Sequence, residues 1–534
     1  MNPPASAKAP KRRVSISNIA TLLIVTSFAG QLLGFLRTKL VNANFPTVGP
    51  HSTDAYFAAF NIPDLFFFTL AAGALGVAFM PILSDRLHNG TRESMWRLSA
   101  SVMNLLAIVM AVVGVIMLIF ATPLIKYIVA PGLSPEQLHT AATIMRLLAF
   151  NPLLFSISGI LTSIEQTMGR FFFYAIAPIF YNLSIIVSIF IFRHNIGLVG
   201  LGIGALVGAV AQLIIIAAGL WKLGYKWYPH INWSNKDFHH VLRNLPPRSL
   251  DQGMDQVENI VETHIASGLG SGNITFYSNA FILSTAPIYL IGTCIATAAF
   301  PRLNERLSQG RPDLFRKDFL MVLRAMIWIS APLVVICFFC RGYLARLIYS
   351  RGGPQIATIF GFLTAAIFFQ ILYTIISRWF YAQKDTKTPL LVSLFVISLN
   401  VYLAITLARP EPVGYGVDGL AMAQSIVAAV EVLILSAVML YRDHRLFDAK
   451  FWGGIGRILS VTGFSILAAF IMISFYPLGA HDRGIITLGT KLFFISGVTF
   501  GVHVLLSSVF GLEEARPIMS RIRKIVLTPI KIDI

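Results

Sequence analysis

The sequence predicts an all-α polytopic membrane protein with fourteen transmembrane helices. Two parallel six-helix repeats are expected to surround a central cavity, with two further helices at the C-terminus. Three observations carry this. Long apolar stretches, each near the ~20 residues that cross a bilayer core about 30 Å thick, fill the chain from about residue 15 to residue 510. The 534 residues are 56% hydrophobic and 12% charged, with a mean hydropathy of +0.73. Several short sequence features also recur once, at a spacing near 220 residues.

In chain order the spans are read at 15–42, 55–83, 98–121, 139–167, 172–192, 197–222, 240–267, 273–299, 319–347, 356–382, 389–407, 414–441, 454–476 and 486–510. A basic tail, 1–14, precedes them. The first six spans form an N-lobe, 15–224, and the next six a C-lobe, 225–445. The last two spans occupy 446–512, and a second basic tail runs over 513–534. The first span is longer than a signal-peptide core and no small-residue cleavage site follows it, so it is read as a retained helix.

The net charge of +18 raises the possibility of nucleic-acid binding, but its placement argues against that. Cations alternate between loops. Lys8, Lys11, Arg12 and Arg13 precede the first span, and 43–54 has none. Arg86, Arg92 and Arg97 follow the second span, and Arg302, Arg306, Arg311, Arg316 and Lys317 follow the eighth. Arg516, Arg521, Arg523 and Lys524 end the chain. The cation-poor side has one main exception, Arg341, Arg346 and Arg351. The positive-inside rule therefore places both termini in the cytoplasm. No nucleotide-binding glycine loop is present, and no soluble domain is large enough to hold one. Cys337 and Cys340 form a C-x-x-C inside an apolar helix with no histidine nearby, which reads as a reduced, packed pair.

The repeat shows in three places. Ala78-Phe79-Met80-Pro81 through Arg86-Leu87 resembles Ala298-Ala299-Phe300-Pro301 through Arg306-Leu307. Asn182 aligns with Asn400, and the glycine-rich start of the sixth span, Gly197–Ala205, aligns with Gly414–Ala423, which then pairs Gln212 with Glu431. Six spans per repeat give both halves the same sense in the membrane, an arrangement used by transporters with a substrate site between the halves.

A charge at the bilayer centre costs about 2.5–3.5 kcal/mol on insertion scales, so charged residues within spans mark function or pairing. In the seventh span Asp251, Asp255, Glu258 and Glu262 fall on one stripe about 60° wide and about 16 Å long, and Arg248 extends it. Such a stripe is read as a cavity wall or a site coupling transport to Na⁺ or H⁺; the competing reading is a structural salt-bridge seam. Pro246 and Pro247 permit a bend before it. A second polar set, Gln31, Arg37, Lys39, Asp54, Asn61 and Asp64, lies at the first two spans. Arg37 suits a phosphate ligand; alternatively it pairs locally with Asp54. Asn182 and Asn400 are candidates for helix-to-helix bonding. Arg146 and Arg378 are expected to snorkel, and Glu165 and Gln166 to cap the fourth span.

Several motifs occur in order along nearly the whole chain. They are Leu33-Gly34-Phe35-Leu36-Arg37, Thr53-Asp54-Ala55-Tyr56-Phe57 with Ala59-Phe60 and Ile62-Pro63, and Gly73-Ala74 through Met80-Pro81. Then come Ala130-Pro131-Gly132, Ala177-Pro178 with Asn182, and Phe380-Tyr381-Ala382 through Asp385-Thr386-Lys387-Thr388-Pro389. Together they resemble the MurJ/MviN family of lipid II flippases, within the wider multidrug/oligosaccharidyl-lipid/polysaccharide exporter superfamily. The chain departs from the family pattern at Gln31, Phe67, Ala72, Ala280 and Leu283, where the family often carries charge.

The resemblance implies a bacterial inner-membrane transporter, not an enzyme. It would move lipid II, an undecaprenyl-diphosphate-linked peptidoglycan precursor, by alternating access, with no catalytic residues and no cofactor beyond a coupling cation. Arg37 and Asp54 match functionally important charges. The substrate-facing set is then Arg37, Asp54, Gln31, Asn61, Asp64 and Arg248, and the coupling set Asp251, Asp255, Glu258 and Glu262. The alternatives are a flippase for another polyprenyl-diphosphate-linked oligosaccharide and a cation-coupled multidrug antiporter on the same fold.

Overall fold

The computed structural model describes residues 16–69, 79–410 and 412–516, and among these every regular element is helical. The basic tails before 16 and after 516, and most of the motif at 70–78, lie outside the described residues. Among the described residues, eleven helices are long and apolar enough to cross a membrane. They correspond to the expected spans three to six and eight to fourteen. The first, second and seventh expected spans are not among them, and these are the three that carry the polar sets read from the sequence.

The chain divides into two units. The first holds residues 1–41, 62–121 and 140–253. Its elements are α1 (Ile16–Asn44) up to Val41, α2 (Asp54–Phe67) from Ile62, α3 (Met80–Asn89) and α4 (Arg92–Pro123) up to Ala121. They continue with α5 (Pro135–Leu148) from Thr140, α6 (Asn151–Thr167), α7 (Phe172–Phe192), α8 (Val199–Leu220) and α9 (Lys236–Gly268) up to Gly253. The α9 helix runs unbroken through Pro246 and Pro247. Its core gathers Phe79, Leu83, Met95, Trp96, Ile160 and Phe238. Apolar burial drives no association within lipid, so close approach matters more. Here α8 presents Gly204 and Gly208 to Ser188 and Tyr181 of α7, where a Cβ would lie 2.2 Å and 2.9 Å from its nearest neighbour. On the basic side Arg86 pairs with Asp237 at 2.6 Å and donates to Asn235 and the Ser94 carbonyl.

The second unit holds residues 42–61, 122–139 and 254–534. It contains α10 (Asn273–Pro287), which passes through a π-helical turn (Ile288–Thr293) into α11 (Cys294–Ser308). Then come α12 (Pro312–Phe339), α13 (Arg341–Ile348), α14 (Gly353–Ala382), α15 (Lys387–Leu407), α16 (Asp418–Arg442), α17 (Ala449–Phe475) and α18 (Ile485–Val509). The hub is α14, with 61% of its apolar window enclosed against 22% for α17, whose outer surface is therefore left for lipid. Asp385 ends the α14–α15 turn. Its carboxylate accepts from the backbone N–H groups of Lys387 and Thr388 and pairs with Arg442 at 2.7 Å. Burial alone would raise its pKa, but the Thr388 and Arg442 contacts outweigh that and hold it down to about 2.

The two C-terminal helices are bonded to α12 by more than apolar contact. His503 of α18 is fully buried, with Nε2 3.1 Å from the Trp328 carbonyl and Nδ1 3.0 Å from Ser465 Oγ of α17. Trp328 Nε1 donates to Ser507 at 2.8 Å. Nearer the basic side Arg324 and Glu514 form an ion pair at 2.7 Å, and Gly454 leaves room for the guanidinium. Cys337 and Cys340 are both buried and free, as expected for a packed pair.

Candidate functional site

The second unit contains two polar constellations. The first lies at its cation-poor ends. Asp54 is 1% exposed and begins α2. Its Oδ2 accepts from Gly272 N at 2.5 Å, and its Oδ1 accepts from Thr275 N at 2.9 Å and Thr275 Oγ1 at 2.7 Å. The carboxylate thus satisfies backbone donors that the first turn of α10 would otherwise leave unpaired, and its charge suits the helix N-terminus. Both Asp54 carboxylate oxygens are thus engaged with α10. Gln137 adds Nε2 bonds to Gly49 O at 3.1 Å and Ser52 Oγ at 2.7 Å. Asn42 exchanges two bonds with the Arg351 backbone. Gly132 sits where a Cβ would meet the Ser267 carbonyl at 2.1 Å, which explains why that motif ends in glycine.

The second constellation centres on the acidic stripe. Burial deepens along α9 from Asp255, which is exposed, through Glu258, half-buried, to Glu262 at 5% exposure. Asn400 of α15 is buried between them. Its Nδ2 donates to Glu258 Oε1, to Glu262 Oε1 at 3.3 Å and to Gln424 Oε1 of α16 at 3.1 Å. An amide nitrogen carries two protons and here faces three acceptors, while Asn400 Oδ1 is buried with no donor among the described residues. The cluster is therefore short of positive hydrogen, a deficit that a proton or small cation would fill. The Tyr277 hydroxyl is buried beside Glu262, and Glu431 of α16 accepts from Ser393 at 2.9 Å. Asn61, from the substrate-facing set, lies here too: its Oδ1 is 3.5 Å from Thr263 Oγ1, and its Nδ2 donates to the Phe57 carbonyl.

The first unit holds Gln31, exposed on α1, and Arg37, half-buried one and a half turns further on. Asp64 of α2 lies within the field of Arg37. The side chains of Arg248 and Asp251 lie outside the described residues, although α9 is helical through both. Asn182 donates to the Pro178 carbonyl of its own helix, at 3.3 Å. Glu165 does not cap α6 as expected. It is fully buried, and Gly219 of α8 makes the space it fills. Arg146 donates to the Leu118 carbonyl, and in the second unit Arg378 stacks over Phe300 and Tyr381.

Sequence reading missed Gln424, Gln137 and Thr275. Gln424 had a usable signal, a glutamine within an apolar helix two turns before Glu431. Thr275 had none, because its role depends on a partner 221 residues away.

Comparison with known proteins gives a consistent result. A family model described as lipid II flippase MurJ matches residues 50–488. The probable lipid II flippase MurJ of Buchnera aphidicola subsp. Acyrthosiphon pisum is 26% identical, covering 88% of this chain and 93% of its own length. That of Borreliella burgdorferi is 24% identical over 80% and 84%. Among solved structures, a lipid II flippase MurJ in an inward closed conformation is similar with a TM-score of 0.74, at 22% identity over 92% of this chain and 98% of that one. An inward-facing multidrug resistance transporter of the MATE family follows at 0.65, with 16% identity over 79% and 98%. At these identities both structural likenesses speak to the fold alone.

Proposed function

The chain belongs to the lipid II flippase MurJ family, and from that premise we propose that it moves lipid II from the cytoplasmic to the outer leaflet of a bacterial inner membrane by alternating access. The basic loops then face the cytoplasm and the cation-poor ends face outward. The observation that carries this reading is the interlock at those ends. Asp54, Gln137 and Asn42 close the outward side with buried, directional bonds that a substrate exit must break.

In this mechanism Arg37 holds the diphosphate, because a guanidinium matches phosphate oxygens two at a time. Asp64 tempers its charge, and Gln31 lies on the same helix as Arg37. Asp54 acts as the outward latch, and no covalent step is needed. The Glu258–Glu262–Asn400–Gln424 cluster takes up the coupling cation, with Asp255 as its approach. Its donors are carboxylate and amide oxygens, which suit Na⁺ or H⁺. Moving one charge through the membrane field supplies about 2.3 kcal/mol per 100 mV.

Native mass spectrometry of the gently purified protein tests the substrate. Lipid II retained by wild type and lost from Arg37→Ala is the expected result. Enrichment of a different polyprenyl-diphosphate sugar would keep the mechanism and change the cargo. Retention of no lipid-linked sugar would shift the reading to a cation antiporter.

A further inference from the structure

The cation-poor side of the second unit carries a local concentration of positive charge that the transport reading does not use. The short helix α13 lies along the loop 476–484 that joins α17 to α18. Tyr343 donates to the Tyr476 carbonyl, Gly342 abuts Leu478, and Arg346 Nη1 donates to the Gly479 carbonyl at 2.6 Å. Lys491 and Arg346 thereby act on one acid, Asp482, with Arg483 next to it in the chain and Arg341 at the start of α13.

That acid is already committed. Asp482 pairs with Lys491 at 2.6 Å and accepts from Gly479 N at 2.7 Å, contacts that hold its pKa below the usual carboxylate value. Arg346 lies in its field but forms no ion pair with it. Arg341 spends Nη1 on the Phe338 carbonyl and stacks on the Phe338 ring at 4.6 Å. Arg483 is exposed and has no partner among the described residues. A structural clamp accounts for Lys491 and half of Arg346. It does not account for the unused guanidinium donors of Arg341, Arg346 and Arg483, of which each side chain has five.

Directly beside these cations is exposed apolar surface. Phe475, Ile485, Ile486 and Phe493, at the adjoining ends of α17 and α18, are 71–82% exposed. Charge above and bare apolar side chains below is the chemistry of an anionic lipid, phosphate at the interface and acyl chains in the core.

We propose that α13 and the 476–484 loop form a binding site for an anionic phospholipid of the leaflet facing away from the basic loops. Arg341, Arg346 and Arg483 bind its phosphate. The site is independent of the transported cargo and of the coupling cluster.

The test uses the full chain in liposomes containing a photoreactive phosphatidylglycerol, with adducts mapped by peptide mass spectrometry. Wild type is expected to carry adducts within 476–493. In the Arg341→Gln/Arg483→Gln variant they should fall at least fivefold relative to adducts on the basic-side loops, which serve as the internal reference. Arg483→Gln alone, at a side chain with no described partner, should lower them at least twofold without disturbing the fold. A photoreactive phosphatidylcholine should label the segment equally in all three proteins. Adducts within 476–493 that ignore charge removal, or phosphatidylcholine labelling as strong as phosphatidylglycerol labelling in wild type, would overturn the proposal.

Discussion

The two halves of this chain descend through the same series of helices, yet they use equivalent positions differently. Gly197 and Gly416 both turn with positive φ, +59° and +55°. Three residues later Gly200 and Gly419 both sit where a Cβ would strike the preceding helix end, 2.2 Å from Phe192 and 2.4 Å from the Leu407 carbonyl. Arg86 and Arg306 both reach an aspartate on the basic side. The frame is shared. The polar interior is not: Asn182 bonds within its own helix, while Asn400 holds two carboxylates and a glutamine. Asp54 is a buried helix-terminus ligand, and its counterpart 220 residues on is Ile274. Repetition preserved what the backbone needs and released what the side chains do.

The largest effect expected from breaking this asymmetry is at Asp54. Asp54→Ala strands two backbone N–H groups and a hydroxyl, at about 1–3 kcal/mol each when buried. Maleimide labelling of a cysteine placed at Ser52, which is fully buried, should rise at least tenfold in that background, whereas Ile274→Ala should leave it within threefold. Next in size is the shared frame. Gly200→Ala and Gly419→Ala should each destabilise by about 1–3 kcal/mol through overpacking, and a thermal melt that moves for only one of them would refute the equivalence of the two turns. Smaller again is the contrast between the asparagines. Asn400→Ala should lower lipid II translocation in proteoliposomes about tenfold and flatten its dependence on pH or Na⁺, with Asn182→Ala within twofold of wild type. Equal losses would return Asn400 to a packing role.

The smallest effect is at Asp385. Its pKa is depressed to about 2 from 3.8, so its stabilisation is present above pH 3.8 and disappears as pH falls toward about 2. The melting difference between wild type and Asp385→Asn should shrink over that interval, and a gap that persists at pH 2 would contradict the assignment.

Much of the frame was legible because membrane helices announce themselves by length and apolarity, and because glycine turns recur as sequence. The acidic stripe was legible for the same reason: a helical wheel fixes the angle of Asp255, Glu258 and Glu262 on one helix. The wheel does not fix depth or neighbours. It therefore could not separate exposed Asp255 from buried Glu262, nor show that Asn400 joins the acids while Asn182 does not. Glu165 failed for a related reason. Position near a helix end suggested a cap, but what decides its environment is Gly219, on a helix some fifty residues later.

The His503 network gives the two C-terminal helices a mechanical identity. Greased helices can slide or drift apart in a bilayer at little cost, since lipid replaces whatever contact they lose. Here the imidazole is keyed to the Trp328 carbonyl and to Ser465, and the indole to Ser507, so slippage would strand polar groups in hydrocarbon. The α17–α18 pair is therefore geared to α12. Whatever excursion α12 makes during a transport cycle, the lipid-facing wall that those two helices present travels with it, like a rudder fixed to its post.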